Sequence, residues 1–410
     1  MRNMKEATGA LLIAPALLGM AALCSAQTTA APLPEPAPAP VAVAPAPAKA
    51  KSWTDYVTIK GDIRVREEVI NDDSKKDSSG EHYTRDRLRL RARIGAEAKL
   101  EDLKAGIRIS TGGADPISGN VTLGDGDQKK EIRLDAAYLD YSFVNDDSYG
   151  LNAIGGKMNN PLINYVNDDL VWDSDLAPEG LAAKGRAGND WLTFLGNAEY
   201  LFIKDRDANP NLWGWVGQGA VQFAFVPEVS LTVGGSYSGY QNFQGCDVLD
   251  WENKNNSYGN STVKGSVSGS TTNKAWASDF TPVMGFGNLD LWVWGVPVTL
   301  YGQALTNPKA DANKNGFMGG IALGKAKNPK TFECGYSCAK LEKDATLGMW
   351  TDSDRWGGGT DGKGSRFYGK YQINKWMQCA VTFFLDKKYI SDPAREADYN
   401  RLQIDLSAAF

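Results

Sequence analysis

The chain is expected to be all-β: a transmembrane antiparallel up-and-down β-barrel of about sixteen strands, with short turns at one end and long loops at the other. Three observations predict it. From Arg85 the sequence Arg-Asp-Arg-Leu-Arg-Leu-Arg-Ala-Arg-Ile alternates charge with hydrocarbon at a period of two. Successive strand side chains point to opposite faces, so Arg87, Arg89, Arg91 and Arg93 share one face and Leu88, Leu90, Ala92 and Ile94 the other. A helix would scatter these arginines around its circumference. The second observation is a rhythm of long and short polar breaks, and the third is a last alternating strand that runs to Phe410.

Alternation alone also suits a soluble sandwich, whose apolar rows meet in a core. The N-terminal residues bear on the choice. Arg2 and Lys5 precede a mostly apolar run from Ala7 to Leu23, and Cys24-Ser25-Ala26 follows with the small-x-small pattern of signal-peptidase cleavage. Residues 1–26 are therefore expected to be a signal peptide; bulky Leu23 argues against a lipidated Cys24. No later segment approaches the roughly 20 apolar residues of a membrane helix. The mean hydropathy of −0.37 does not exclude a membrane barrel, because a long apolar run would lodge in the inner membrane during export.

Residues 27–52 are rich in Ala and Pro and are expected to form a semi-rigid, extended periplasmic segment. The barrel is expected over 53–410. Its first strand sets Val57, Ile59, Ile63 and Val65 against Thr58, Lys60, Asp62, Arg64 and Arg66. Another sets Ala105 and Ile107 against Lys104 and Arg108, and the last sets Leu402, Ile404, Leu406, Ala408 and Phe410 against Arg401, Gln403, Asp405 and Ser407.

Long hydrophilic segments fall near 71–82, 111–129, 158–170, 204–210, 240–275, 305–315, 341–364 and 386–398. Short ones fall near Glu101-Asp102, Asn145 to Asp147, Gly188 to Asp190, Pro227-Glu228, Gly287-Asn288, Asn328-Pro329 and Asn374-Lys375. Sorting of connections by length is the habit of membrane barrels, short on the periplasmic side and long outside. Aromatic residues recur beside these turns: Tyr138, Tyr141 and Phe143; Trp191 and Phe194; Trp213 and Trp215; Phe223 and Phe225; Trp292 and Trp294. Such rings are expected as girdles at membrane interfaces. Broken alternation from Asp135 to Tyr141 predicts a β-bulge.

The exported N-terminus, the strand Arg87-Leu-Arg-Leu-Arg-Ala-Arg-Ile-Gly95, the segment from Asp352 to Asp361 and the closing Arg401-Leu-Gln-Ile-Asp-Leu406 up to Phe410 together resemble an outer-membrane porin, of the putative-porin family of sixteen-stranded barrels. The resemblance implies a water-filled channel for passive diffusion of ions and small polar solutes in the outer membrane, among lipid and lipopolysaccharide. It is compatible with a homotrimer. It implies recognition of Phe410 by the barrel-assembly machinery as an assembly signal, and in general porins the third loop folds into the pore.

Composition limits other chemistry. His82 is the only histidine; with no serine or aspartate partner at strand spacing it reads as a solvated loop residue, and no enzymatic site, cofactor, metal centre or nucleic-acid partner is expected. Cys334, Cys338 and Cys379 share parity with apolar residues and are expected on the lipid face, with Cys246 in the longest loop. Asp125-Gly126-Asp127 and Asp352-Ser353-Asp354 carry hard oxygens but complete no calcium-loop pattern.

If the apolar rows face lipid, Arg64, Arg66, Arg87, Arg89, Arg91, Arg93, Arg108 and Arg133 fall on the lumen side of the first four strands. Asp168, Asp169, Asp173 and Asp175, in the third long loop and the start of the following strand, are expected opposite them, giving a transverse field in the pore. The plainer alternative is that the arginines pair with Asp62, Glu97 and Asp135 and fill the interior. A selective channel for phosphate, other anions or sugars would use the same barrel. A closed structural anchor is disfavoured, because about sixteen strands enclose more space than side chains fill. The formal net charge of −5 does not report selectivity, since the acids gather in loops.

Overall fold

The computed structural model describes residues 52–163, 170–207, 210–249, 251, 256–265 and 274–410. Its barrel strands are β1 (Val57–Lys76), β2 (His82–Leu100), β3 (Leu103–Thr111), β4 (Ile132–Asn145), β5 (Tyr149–Lys157), β6 (Glu179–Gly188), β7 (Leu192–Lys204) and β8 (Leu212–Val226). They continue with β9 (Val229–Gln241), β10 (Val283–Val293), β11 (Val296–Thr306), β12 (Asn315–Gly324), β13 (Phe332–Leu341), β14 (Gly362–Gln372), β15 (Met377–Lys388) and β16 (Ala397–Ala409). Each pairs antiparallel with its sequence neighbours, and β16 returns to pair with β1 from Asp62↔Ala409 to Asp72↔Tyr399. The sheet closes and leaves no edge among these sixteen strands. A short segment, Val121–Thr122, adds to β2, and a small hairpin, Thr262–Lys264 with Lys274–Trp276, lies between β9 and β10.

The two faces separate as the alternation requires. On β1, Ile59, Ile63 and Val65 are exposed outward while Arg66, Glu68 and Asp72 are buried inward; on β16, Ile404 and Leu406 are outward and Arg401, Gln403 and Asp405 inward. The outward row continues around the wall with Ile94, Ile107, Leu139, Leu181, Phe194, Val233, Leu300, Phe317 and Val381, all exposed. A closed sheet with hydrocarbon outside and charge inside is stable only where its outer face meets lipid. None of the described helices is long and apolar enough to cross a membrane.

Several expectations are corrected. The first long segment, 71–82, is mostly paired strand: β1 runs to Lys76 and β2 starts at His82, and Asn71↔Thr84 and Asp72↔Tyr83 are in register. Gly287-Asn288 is no turn. It lies within β10, where the Asn288 amide donates to Asp290 Oδ2 at 2.7 Å, and the chain reverses instead at Trp294-Gly295, both at positive φ. Tyr138 is no girdle residue, for its hydroxyl donates inward to Glu97 at 3.2 Å. Tyr141, Phe143, Trp191, Phe194, Phe225, Trp292 and Trp294 are exposed. The expected bulge is present: Arg108 pairs with Ala136 and Ile109 with Leu134, leaving Asp135 as the extra residue. The remaining short turns and long loops fall where expected, and the expected signal peptide and the Ala/Pro segment up to Lys51 lie outside the described residues.

At the seam, Gly61 N donates to Phe410 O at 2.9 Å and Phe410 N to Gly61 O at 3.0 Å. The Phe410 ring lies over Gly61, where a Cβ would stand 2.6 Å from the ring Cζ, so only glycine admits the ring there. At the other end of the barrel, loops from separate strands share one core: Ile117, Leu176, Phe243, Trp276, Leu347, Met349 and Trp350 pack with Tyr240 of β9.

Candidate functional site

The inward face of β1 and β2 is unusual in opposing like charges. Arg64 stands in register with Arg91 and Arg66 with Arg89, while Asp62 faces Arg93 and Glu68 faces Arg87. Like charges directly opposite destabilise a sheet unless counter-charge interleaves. Here carboxylates from four elements do so. Asp62 accepts from Arg91 at 3.0 Å and Arg93 at 2.8 Å; Glu68 accepts from Arg87 Nε at 2.6 Å; Asp405 of β16 takes Arg66 Nε at 2.7 Å and Nη2 at 2.9 Å. Asp175 takes Arg91 at 2.7 Å and Arg93 at 3.2 Å, and Asp354 takes Arg66 at 3.1 Å and Arg401 at 2.5 Å. Seven arginines (64, 66, 87, 89, 91, 93 and 401) thus meet five carboxylates (62, 68, 175, 354 and 405), an excess of two positive charges. Arg108 pairs with Asp135 and with Asn159 Oδ1 at 2.7 Å, and Arg133 with Glu131 at 2.9 Å on an exposed stretch.

Two of the five carboxylates come from loops. Of the loop 158–178 that follows β5, the described stretches 158–163 and 170–178 make contacts inside the barrel. Ile163 exchanges two hydrogen bonds with the Gln218 side chain of β8, its N–H donating to Oε1 at 2.6 Å and its carbonyl accepting from Nε2 at 3.1 Å. Leu170 and Val171 are buried with Tyr301 and Leu305 of β11, Met318 and Ala322 of β12 and Ala339 of β13, on the wall far from β2. Asp173 N donates to Trp350 O at 2.8 Å and Asp173 Oδ2 accepts from Ser353 N at 3.0 Å, before Asp175 reaches Arg91 and Arg93. Asp168 and Asp169 lie outside the described residues. Burial would raise the Asp175 carboxyl, but Arg91, Arg93 and Arg64 outweigh it and hold the group below the ordinary aspartate value. Asp354 is likewise held well below that value, burial being outweighed by Arg66 and Arg401.

The loop 342–361 supplies Asp354 from a tightly wound stretch. Trp356 and Gly357 to Gly359 all have positive φ. The buried Arg355 donates to Ser337 Oγ at 2.6 Å, Trp356 N to Asp386 Oδ2 at 2.7 Å and the Trp356 indole to Gly359 O at 2.7 Å. The stretch Asp352 to Asp361 is therefore a knot that seats one loop on β13, β15 and β16, and Asp354 is committed to arginines instead of a metal. Asp125 is held by Lys130. Glu68, Arg401, Asp405 and Gln218 are the members of the site not singled out from sequence, and Asp354 was read only as a loop carboxylate. Arg401 and Asp405 were visible only as the polar half of the last alternating strand.

Open space remains along β2 to β4. A cavity of about 480 Å³ is lined by Arg91, Arg93, Arg133, Lys157, Asp175 and Trp350. It shares Asp115, Ser118, Arg133 and Trp251 with a cavity of about 310 Å³ that adds Arg89 and Asn120, and shares Arg93 with one of about 340 Å³ that adds Arg108 and Glu97. The other expected features fall away from it. His82 pairs with Asp73 at 3.1 Å in an exposed position; Cys334, Cys338 and Cys379 lie on outward rows, and Cys246 accepts from Arg206 at 3.2 Å in the loop before β10.

The sequence profile of a family described as "Putative porin" matches residues 78–272 of this chain, and the chain resembles that family. Among solved structures, it is similar to OprB of Pseudomonas putida in a high-pH form, with a TM-score of 0.56 at 10% identity over 87% of this chain and 95% of that one. OmpT of Vibrio cholerae, folded in vitro, is matched with a TM-score of 0.47 at 12% identity over 86% of this chain and 97% of that one. No curated protein matches the sequence significantly.

Proposed function

We propose that the chain is an outer-membrane porin whose barrel encloses a water-filled route for passive diffusion of ions and small hydrophilic solutes. The observation that carries this reading is the meeting of Asp175 with Arg91 and Arg93, which brings the third long loop across the interior to the arginine-rich wall beside the chain of cavities. A solute passing there moves between fixed charges of both signs with a net positive excess. Such walls discriminate by charge and size without binding any one solute tightly. The barrel would sit among lipid and lipopolysaccharide after insertion by the barrel-assembly machinery, as a monomer or a homotrimer.

Coulomb attraction is strongest in a narrow, partly desolvated passage, and salt with a Debye length of about 10 Å at roughly 0.1 M screens it. In planar bilayers with a salt gradient, the combined Arg89→Gln, Arg91→Gln and Arg108→Gln variant should shift the reversal potential toward cation preference, most at low salt. Asp175→Asn should shift it toward anions. The same substitution tests Asp168 and Asp169. A correctly inserted arginine variant whose reversal potential equals wild type at low salt would make these side chains interior filling and remove the proposed screen.

A further inference from the structure

Within this wall the counter-charge is unevenly shared. Arg66, Arg87, Arg91, Arg93 and Arg401 each have a carboxylate at 3.1 Å or closer. Arg64 and Arg89 do not: the nearest carboxylate oxygen is 3.9 Å away in each case, on Asp405 and Glu68. Both turn instead to one neutral residue in the loop after β3. Arg64 Nη2 donates to Asn120 Oδ1 at 2.9 Å and Arg89 Nη2 to Asn120 O at 3.3 Å. The Nε of each is buried and meets no acceptor among the described residues. The local excess of positive charge is thus concentrated at these two guanidinium groups, which converge on a single residue, one on its side-chain oxygen and one on its backbone carbonyl.

Asn120 borders the cavity of about 310 Å³, lined by Arg89, Ser118, Asn120, Arg133 and Trp251 together with Asp115 and Glu131. Its two carboxylates have partners of their own: Asp115 accepts from Ile117 N at 3.0 Å and Glu131 from Arg133 at 2.9 Å. We propose that Arg64, Arg89 and Asn120 form a binding site for a small oxyanion, a phosphate or carboxylate, on the route through the barrel. Guanidinium groups match such oxygens with parallel N–H donors, and Asn120 can swing its amide N–H toward the anion once the arginines exchange its oxygens for those of the ligand. The inference rests on the diffusion-channel reading and adds to it a saturable step for oxyanions that chloride does not share.

The test is single-channel conductance of the full chain in potassium chloride with inorganic phosphate, or acetate, added in steps. Wild-type conductance should fall to a plateau, and the half-blocking concentration should rise at least tenfold in Arg89→Gln and in Arg64→Gln. Arg89→Lys keeps the charge but not the fork and should recover only part of the block. Lys370→Gln, on β14 and paired with Glu333 away from the site, should retain it in full. A response to phosphate without acetate would assign the site to dianions. Wild-type conductance indifferent to both anions, or an unchanged half-blocking concentration in Arg89→Gln, overturns the site while leaving the channel in place. If the wild-type protein conducts nothing, the diffusion reading fails instead. Calorimetric titration of the detergent-solubilised protein with phosphate then decides the site alone, absence of binding overturning it. Heat-dependent gel mobility confirms folding of each variant.

Discussion

Arg66 on the first strand and Asp405 on the last are register partners joined by two parallel hydrogen bonds across the line where the barrel closes. Both are buried, and removing Asp405 leaves Arg66 with Asp354 as its close carboxylate, so the cost stays below the roughly 3–5 kcal/mol of a fully uncompensated buried charge. Asp405→Asn should therefore lower the urea midpoint of the reconstituted barrel markedly more than the exposed-pair variant Glu131→Gln. Equal midpoints would show that the fork contributes nothing to closure.

The Gln218 side chain imitates a strand neighbour for Ile163, giving and taking one bond each. Gln218→Leu preserves volume but orphans both backbone groups of Ile163, costing about 1–3 kcal/mol per unsatisfied group. Single-channel records of this variant should show added open-channel noise as the loop detaches from β8, with the barrel intact by circular dichroism. Noise indistinguishable from wild type would mean the loop is held by its other contacts alone.

Asp175 gives the loop a defined pH response. Its folded-state value lies below the ordinary 3.8, so the stabilisation it provides is complete above that value and is lost as pH falls through the lower folded one. Conductance and noise should be steady between about pH 7 and pH 5 and change only in solutions more acidic than about pH 4. A transition near neutrality that persists in Asp175→Asn would belong to another group.

Glu199 is buried on the inner face of β7, and neither of its oxygens meets a hydrogen-bond partner among the described residues. An unpaired carboxylate in such a place is costly. Glu199→Gln keeps its shape and removes the charge, and it should leave stability unchanged or raise it by about 1–3 kcal/mol. Clear destabilisation in urea titrations would reveal a partner that the carboxylate needs.

Phe410 and Gly61 fit each other closely enough that Gly61→Val should disturb assembly as Phe410→Ala does. Both should export normally and accumulate less in outer-membrane fractions. Equal recovery of either variant and wild type would count against a role for the ring.

The fold was legible because a barrel wall has one solvent on each side. Leu88 to Ile94 alternate with Arg87 to Arg93 as a wall between two media requires, and the same parity placed the faces of the first and last strands, while Tyr138, grouped with the girdle, faces inward. Turns were harder. Gly287-Asn288 has turn composition, yet the glycine serves the outward face and Asn288 is satisfied by Asp290, so local chemistry that suits a bend also suits a wall. The arginine row was visible, but its partners were not. Asp354 and Asp405 lie far along the chain from Arg66, and no spacing rule connects residues that meet only through closure. Asp173 and Asp175 lie in the loop before Glu179 and not at the start of the following strand, where the expected loop end near 170 put them, and the apolar anchor Leu170-Val171 gave no signal distinct from ordinary loop hydrophobicity.

The separation of those partners also orders events in time. Arg66 and Asp405 are 339 residues apart, and Arg66 and Asp354 are 288 apart. Contacts across such spans form late, because chain entropy must be spent before any of them rewards it. Asp354 finds both of its arginines, Arg66 and Arg401, only when β16 has met β1. Until that moment Asp354 has Arg401 of β16 but not Arg66 of β1, and the loop 158–178, which holds Ser353 through Asp173, meets a loop tied on one side of the seam alone. The contacts that tie these two loops to the wall are therefore completed by the same step that seals the cylinder, so that a barrel still unzipped at β1 and β16 is also one whose interior loops are not yet fully held.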